Sequence, residues 1–347
     1  MTTPAITVWL TTALDSRLPL EIAKAAISQT RPPLEIIAPG NVSETDLASL
    51  RELCASRGVA VNQLPADAAT DTIDTMLETA AGELVYIAAP DRRPLQQAFE
   101  KAANIMANQP SAGLCSGLVM LEDEAGAAVT LERIPVPTAD AGAMTQAQTL
   151  DALSRYGAWF CEGAIFYRRN ALIQVRACLN EFICRAESPY PAENAPALAL
   201  AAANLLLPLH HGACFIPEPL AAGPLASVTA ERIANAAHSA RAAAGRLRAA
   251  PPAPLTPDLL DAWERAAAYN AGLAIWDIVR RRQEKFYRES LHWLAPTARP
   301  PDVLFRKIFH LLIRLQARVV QTFLARALAA PPRTAAWSNL EIKYLSK

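Results

Sequence analysis

This 347-residue chain lacks several common signatures, and each absence removes a class of function. No uninterrupted run reaches about 18 apolar residues, the length a membrane-spanning helix needs, although 52% of the residues are hydrophobic and only 19% are charged. The six cysteines (Cys54, Cys115, Cys161, Cys178, Cys184 and Cys214) contain no C-x-x-C pair. They are few for the length and read as buried thiols of a reducing compartment, the cytosol by default, not as a disulfide framework. There is no Gly-x-Gly-x-x-Gly and no P-loop, which argues against the common dinucleotide and nucleoside-triphosphate folds. A Gly-x-Ser-x-Gly elbow is missing too. Residues 1–10 carry no basic segment ahead of their apolar run, which argues against a signal peptide. A net positive charge is also absent, with 33 Lys plus Arg against 33 Asp plus Glu, so nucleic acid is the least favoured partner.

The charge that is present is unevenly spread. Residues 276–326 hold 11 basic and 4 acidic side chains, an excess of seven that the rest of the chain must balance with seven negative charges. Arg280-Arg-Arg282, Lys285 and Arg288 form the densest basic patch, with Trp276, Phe286, Tyr287 and Trp293 nearby. A helix of this kind suits the inner face of an anionic membrane, an acidic protein partner, the acidic body of the chain itself, or a second copy in a homo-oligomer.

Periodicity gives the fold class. Strand patterns at residues 5–10, 34–38, 59–61 and 84–88 alternate with helix patterns at residues 18–29, 43–54, 70–80 and 94–106. Arg31-Pro32-Pro33 stops the first helix, because proline removes a donor and biases the residue before it away from helix. Ser43 followed by Asp46 marks the start of the second. Four β-α units in about 105 residues make an α/β fold with a mostly parallel sheet covered by helices. Beyond it, residues 116–121 and 127–133 read as a hairpin around Glu122-Asp-Glu-Ala-Gly126, and residues 135–140 as a loop. Residues 160–167 read as a strand, 170–178 and 195–206 as helices, 213–216 as a strand, and 229–249 as a helix. Pro251-Pro252-Ala-Pro254 marks a linker near residues 250–255, and two long helices follow at about 256–293 and 302–329. The expected organisation is a domain over residues 1–225, with halves at 1–110 and 111–225, then a C-terminal helical extension over 226–347.

Gly82-Glu-Leu-Val-Tyr-Ile-Ala-Ala-Pro-Asp91 is the most informative segment. Together with Leu10-Thr-Thr-Ala13, Ile27-Ser-Gln-Thr-Arg-Pro32 and Gly40-Asn41-Val-Ser43, it makes the first 110 residues resemble the nucleotide-binding half of the large inverting glycosyltransferase family with the GT-A fold (family 2-like). Gly82-Glu83 and the apolar strand behind it are similar to that family's lead-in to an Asp-x-Asp motif, which here reads Ala89-Pro90-Asp91. Gly40-Asn41 stands where the family has paired acids on the nucleoside side. Gly163-Ala-Ile-Phe-Tyr-Arg-Arg-Asn-Ala171 resembles its acceptor-side strand, Ala192-Glu-Asn194 stands near its general base, and Gly212-Ala-Cys-Phe-Ile-Pro-Glu-Pro219 is similar to a later strand. The resemblance covers residues 4–220 and leaves the terminal helices unaccounted for.

What the resemblance implies is a nucleotide-sugar donor and a glycan acceptor, with Thr11, Asn41, Asp91 and Arg92 on the donor. An Mg²⁺ or Mn²⁺ ion at Asp91 would neutralise the departing diphosphate; with one acid where the family has two, the alternative is no metal at all. Asp91 has a second reading, as the cap of the helix expected to begin near Pro94. Arg92 and Arg93 either contact phosphate or are solvated. Asparagine has no useful proton affinity, so Glu193 or Glu187 is the candidate base, or else an ordinary surface acid. His210 and His211 are adjacent, so their rings diverge unless the backbone turns there. Three functions stay open: an inverting glycosyltransferase for a bacterial-type surface polysaccharide, an inactive scaffold subunit of the same fold, and a nucleotidyltransferase, for which the glycine-rich basic loop after the first strand is missing.

Overall fold

The computed structural model describes residues 3–11, 18–65, 73–132, 136–156, 160–184, 195–228, 240, 242–248 and 255–264. Glu187, Glu193, most of the 229–249 helix, the basic patch around Arg280 and the 302–329 helix lie outside them.

Four short strands, β1 (Ile6–Leu10), β2 (Glu35–Ala38), β3 (Ala60–Gln63) and β4 (Leu84–Ala88), pair in parallel in the order β3-β2-β1-β4. β1 and β4 alternate their side chains between two cores, as a strand covered on both faces must. Ile6, Val8, Leu10, Leu84 and Tyr86 enter one core, while Trp9 and Val85 enter the other. Helices α1 (Leu20–Ile27), α2 (Glu44–Ala55) and α4 (Ala98–Ala107) cover the first face. Helix α3 (Ile73–Thr79) covers the second, with α5 (Gln146–Tyr156), α6 (Arg169–Cys184) and α7 (Ala195–His211). The predicted cap of α2 is present: Ser43 Oγ accepts from the Asp46 N–H at 3.1 Å, answering one orphan donor of the first turn.

The remaining strands convert this parallel half into a mixed sheet of ten strands among the described residues. β9 (Ile165–Arg168) runs antiparallel between β4 and β6 (Leu114–Glu122). β10 (Ala213–Pro224) lies parallel beside β6, and β5 (Arg93–Pro94), β7 (Ala128–Leu131) and β8 (Gly142–Met144) add short antiparallel edges. The β6–β7 hairpin turns at Gly126, whose φ of 80° suits glycine, and the Asp123 carboxylate accepts from the N–H groups of Ala125 and Ala127.

Several boundaries depart from expectation for identifiable reasons. Helix α4 begins at Ala98, not near Pro94, because Arg93-Pro94 is drawn into pairing with β10. β10 runs to Pro224 and not 216: Pro217 and Pro219, which read as a strand end, fall where the register with β6 shifts, one of the few places a strand tolerates proline. Helix α7 passes through Pro208 and stops only at Gly212, whose φ is 76°. Helix α6 extends to Cys184, and β8 and α5 had no sequence expectation at all.

Two consecutive arginines at the end of β9 point to opposite faces. Arg168 donates to the carbonyls of Ala112 and Met106, both at 2.9 Å, and Gln109 at 3.2 Å, closing the last turn of α4. Arg169 donates twice to the Leu77 carbonyl near the end of α3, from Nε at 3.1 Å and Nη2 at 2.8 Å. Cationic donors at carbonyl-rich helix ends are favourable on both counts, hydrogen bond and dipole.

Residues 242–248 and 257–264 are helical. Ala243, Ala244, Leu247, Leu260 and Trp263 belong to the same core as α3, α6 and α7. Arg248 joins the two segments by hydrogen bonds to Asp261 and Glu264. No described helix is long and apolar enough to cross a membrane.

Candidate functional site

The strand order sets where a ligand would fit. From β1 the chain steps to β2 and β3 on one side, then returns to place β4 on the other. The strand order thus reverses between β1 and β4, and open α/β sheets bind ligands outside the carboxyl ends of the strands at such a switch point. Thr11 follows β1 and Ala89-Pro90-Asp91 follows β4, so both candidates border the switch point. Asn41 follows β2 one strand further along, exposed in a turn.

Backbone and side-chain contacts close this rim. Thr11 Oγ1 donates to the Ala88 carbonyl at 2.7 Å, tying the end of β1 to the end of β4. Arg92 N–H donates to the Ala89 carbonyl at 3.1 Å, turning the chain around Pro90. Gly40 packs against the end of the β3 loop so closely that a Cβ there would lie 2.3 Å from the Pro65 carbonyl oxygen.

Arg92 is the unexpected member. Its side chain is fully buried, whereas Asp91 keeps about a quarter of its exposure. The guanidinium lies 3.4 Å from the Asp91 carboxylate and 3.2 Å from Glu132, and donates to Ser227 Oγ at 2.8 Å; its Nε has no hydrogen-bond partner. Two glycines make room for it. A Cβ on Gly163, where φ is 81°, would stand 2.4 Å from Arg92 Cβ, and one on Gly223 would stand 2.4 Å from Nη1 and 2.5 Å from the Asp91 carbonyl oxygen. The solvated reading of Arg92 is therefore incorrect. Arg93 is half-exposed and pairs with Glu122.

The helix-cap reading of Asp91 fails as well, because α4 starts seven residues later with Gln97 at its cap position. Beneath the rim, Tyr86 donates to the Gly163 carbonyl at 2.7 Å and packs its ring 5.1 Å from Phe99 and 5.0 Å from Phe166. Burial pushes its phenol far above the ordinary range, so it acts as a fixed donor and not as a base.

As a ligand set for Mg²⁺ or Mn²⁺ these residues are a poor fit. Both ions want several oxygen ligands; here Ala89 supplies none at the first acid position, and the carboxylate two residues on, Asp91, faces a guanidinium. Among the described residues no group of three or more His, Cys, Asp or Glu side chains could hold a metal. His210 and His211 lie on the regular end of α7, their ring centres 6.3 Å apart and inclined at 48°.

Sequence reasoning missed Glu132, Ser227 and Gly223 altogether, and noted Gly163 only as the start of a strand. Nothing local marks them, since the Arg92–Ser227 contact spans 135 residues. Glu187 and Glu193, the candidate bases, lie outside the described residues.

No protein-family model matches the chain, and no curated protein matches it either. Among solved structures it is similar to S. aureus TarS, with 13% identity over 77% of this chain and 43% of that one, at a TM-score of 0.49. It is also similar to S. aureus TarS 1-349 in complex with UDP, with 14% identity over 86% and 76% of the two chains, at a TM-score of 0.48. The chain thus spans less than half the length of the first of these. At such identities and scores the likeness carries no inference about chemistry.

Proposed function

We propose that this chain is a glycosyltransferase whose nucleotide-sugar donor occupies the crevice between the ends of β1 and β4. The observation that carries the reading is the switch point itself, with Thr11 and Asp91 bordering it on adjacent parallel strands. The resemblance of residues 4–220 to the GT-A glycosyltransferases supports it independently. In this reading Thr11, Asn41 and Asp91 line the donor side, and Arg92 shapes the Asp91 loop from below. The reaction is a direct displacement. The acceptor hydroxyl oxygen bonds to the anomeric carbon as the bond to the diphosphate breaks, its proton passes to a carboxylate, and the nucleoside diphosphate departs. Glu193 and Glu187 are the carboxylates proposed for that proton, and inversion follows from attack opposite the leaving group. The acceptor in this reading is a glycan or another hydroxyl-bearing molecule.

Calorimetric titration with a panel of nucleoside diphosphates, UDP among them, tests the reading. One member binding with micromolar affinity, weakened tenfold or more by Asp91→Ala, is the expected result. An empty panel would remove the donor site and leave the scaffold reading in its place.

A further inference from the structure

We propose that the rim is built around a fixed internal cation in place of an exchangeable one: Arg92 occupies the Asp91 carboxylate, so ligand binding at the crevice proceeds without a divalent metal. The inference deepens the donor-site reading and rests on it for the nucleotide, though not for the metal. Arg92 cannot shed its charge at any physiological pH. Being fully buried, it requires compensating anions in place. Asp91 and Glu132 supply them, at 3.4 and 3.2 Å, and each makes at least one further interaction. Neither carboxylate is spare.

A divalent ion bound to Asp91 would sit about 2.1 Å from a carboxylate oxygen that itself faces a guanidinium nitrogen at 3.4 Å. It would meet a like charge in a poorly solvated place and draw off one of the two anions that make the buried arginine tolerable. The surroundings favour the arginine. Gly163 and Gly223 leave no space for even a methyl group beside it, and Ser227 Oγ accepts from Nη1. Ala89 takes the position from which a second acid could have restored the balance in favour of a metal.

The test uses the full chain and Mn²⁺ alone, read by electron paramagnetic resonance of the free ion, then UDP titrated calorimetrically in Mn²⁺ and in EDTA. The free-ion signal is expected to stay undiminished at equimolar protein, with UDP affinity equal within twofold in the two buffers. Stoichiometric Mn²⁺ uptake that Asp91→Asn abolishes would overturn the proposal, as would a UDP affinity at least tenfold higher in Mn²⁺. Arg92→Met removes the charge and keeps the bulk, and a folded variant should gain at least tenfold in Mn²⁺ affinity through the released carboxylates. A folded variant with no gain would refute Arg92 as the cause. If Arg92→Met does not fold, the wild-type and Asp91→Asn measurements decide alone. Absence of UDP binding defeats the donor-site reading, while the Mn²⁺ titration still decides the metal.

Discussion

The Thr7 hydroxyl stands 2.6 Å from the Glu35 carboxylate and 2.8 Å from the Gly82 N–H, donating to the first and accepting from the second. Glu35 also accepts from the Ala81 N–H and from Asn62 Nδ2, each at 2.6 Å, in a position only 3% exposed. It is thus an acceptor toward three donors from three segments of chain. Replacing Glu35 with Ala leaves those donors unpaired and should cost roughly 3 kcal/mol, since each buried orphan costs about 1–3 kcal/mol. Glu35→Gln also destabilises, by less, because an amide offers one acceptor oxygen and sets its own NH₂ toward a donor. Urea unfolding curves measure both; a Gln variant as stable as wild type would contradict the arrangement.

The glycines around Arg92 give a second, internally controlled prediction. Gly163 and Gly126 share a left-handed backbone, with φ of 81° and 80°, but a Cβ on Gly126 meets nothing within 4 Å. Alanine at 126 should cost only the backbone term of about 1 kcal/mol. At 163 the overpacking of Arg92 adds about 1–3 kcal/mol more. Equal losses at the two positions would show that the socket is not tight.

At the rim, Thr11→Val keeps the shape and removes the donor to the Ala88 carbonyl. The loss expected is about 1 kcal/mol of stability. Under the donor-site reading, UDP affinity should fall by roughly threefold to tenfold as the two strand ends loosen. Differential scanning calorimetry and a UDP titration on the same preparation separate the two effects.

Thiol ionisation sets an alkaline limit. Burial pushes the Cys54 thiol up to about 11 and Cys214 to about 12, and raises Cys115 well above its ordinary value with help from its neighbour Cys214. An unfolded thiol ionises near about 8.5. Above that pH the unfolded chain binds fewer protons than the folded one, so stability falls as pH rises. The urea midpoint is expected to drop between pH 8 and 10, and Cys54→Ala should lessen the drop. A level midpoint would contradict the burial. At pH 8, Cys54, Cys115, Cys161 and Cys214, all buried, should resist iodoacetamide when labelling is mapped by mass spectrometry.

The parallel half of the sheet was legible because its signals are local. Ser43 caps, Arg31-Pro32-Pro33 stops, and the apolar runs at residues 5–10 and 84–88 are too short and too uniform for anything but covered strands. The antiparallel half was less so: β5 and β8 are two and three residues long and exist only because β10 passes beside them. At the site, Thr11 and Asp91 stood out through the strand ends they follow. From sequence Arg92 reads as either a phosphate contact or a solvated charge, because charge next to a loop acid is ordinarily accessible. Its burial depends on Glu132, Gly163, Gly223 and Ser227, residues that meet only once the sheet is assembled.

Arg168 and Arg169 carry a dynamic consequence. Because consecutive residues at the junction of β9 and α6 secure the closing turns of α4 and α3 on opposite sides of the sheet, neither helix can fray without disturbing the same dipeptide. Amides near Leu77 and Met106 should therefore exchange with deuterium together, as one cooperative unit, although they lie 29 positions apart along the chain with β4 and β5 between them.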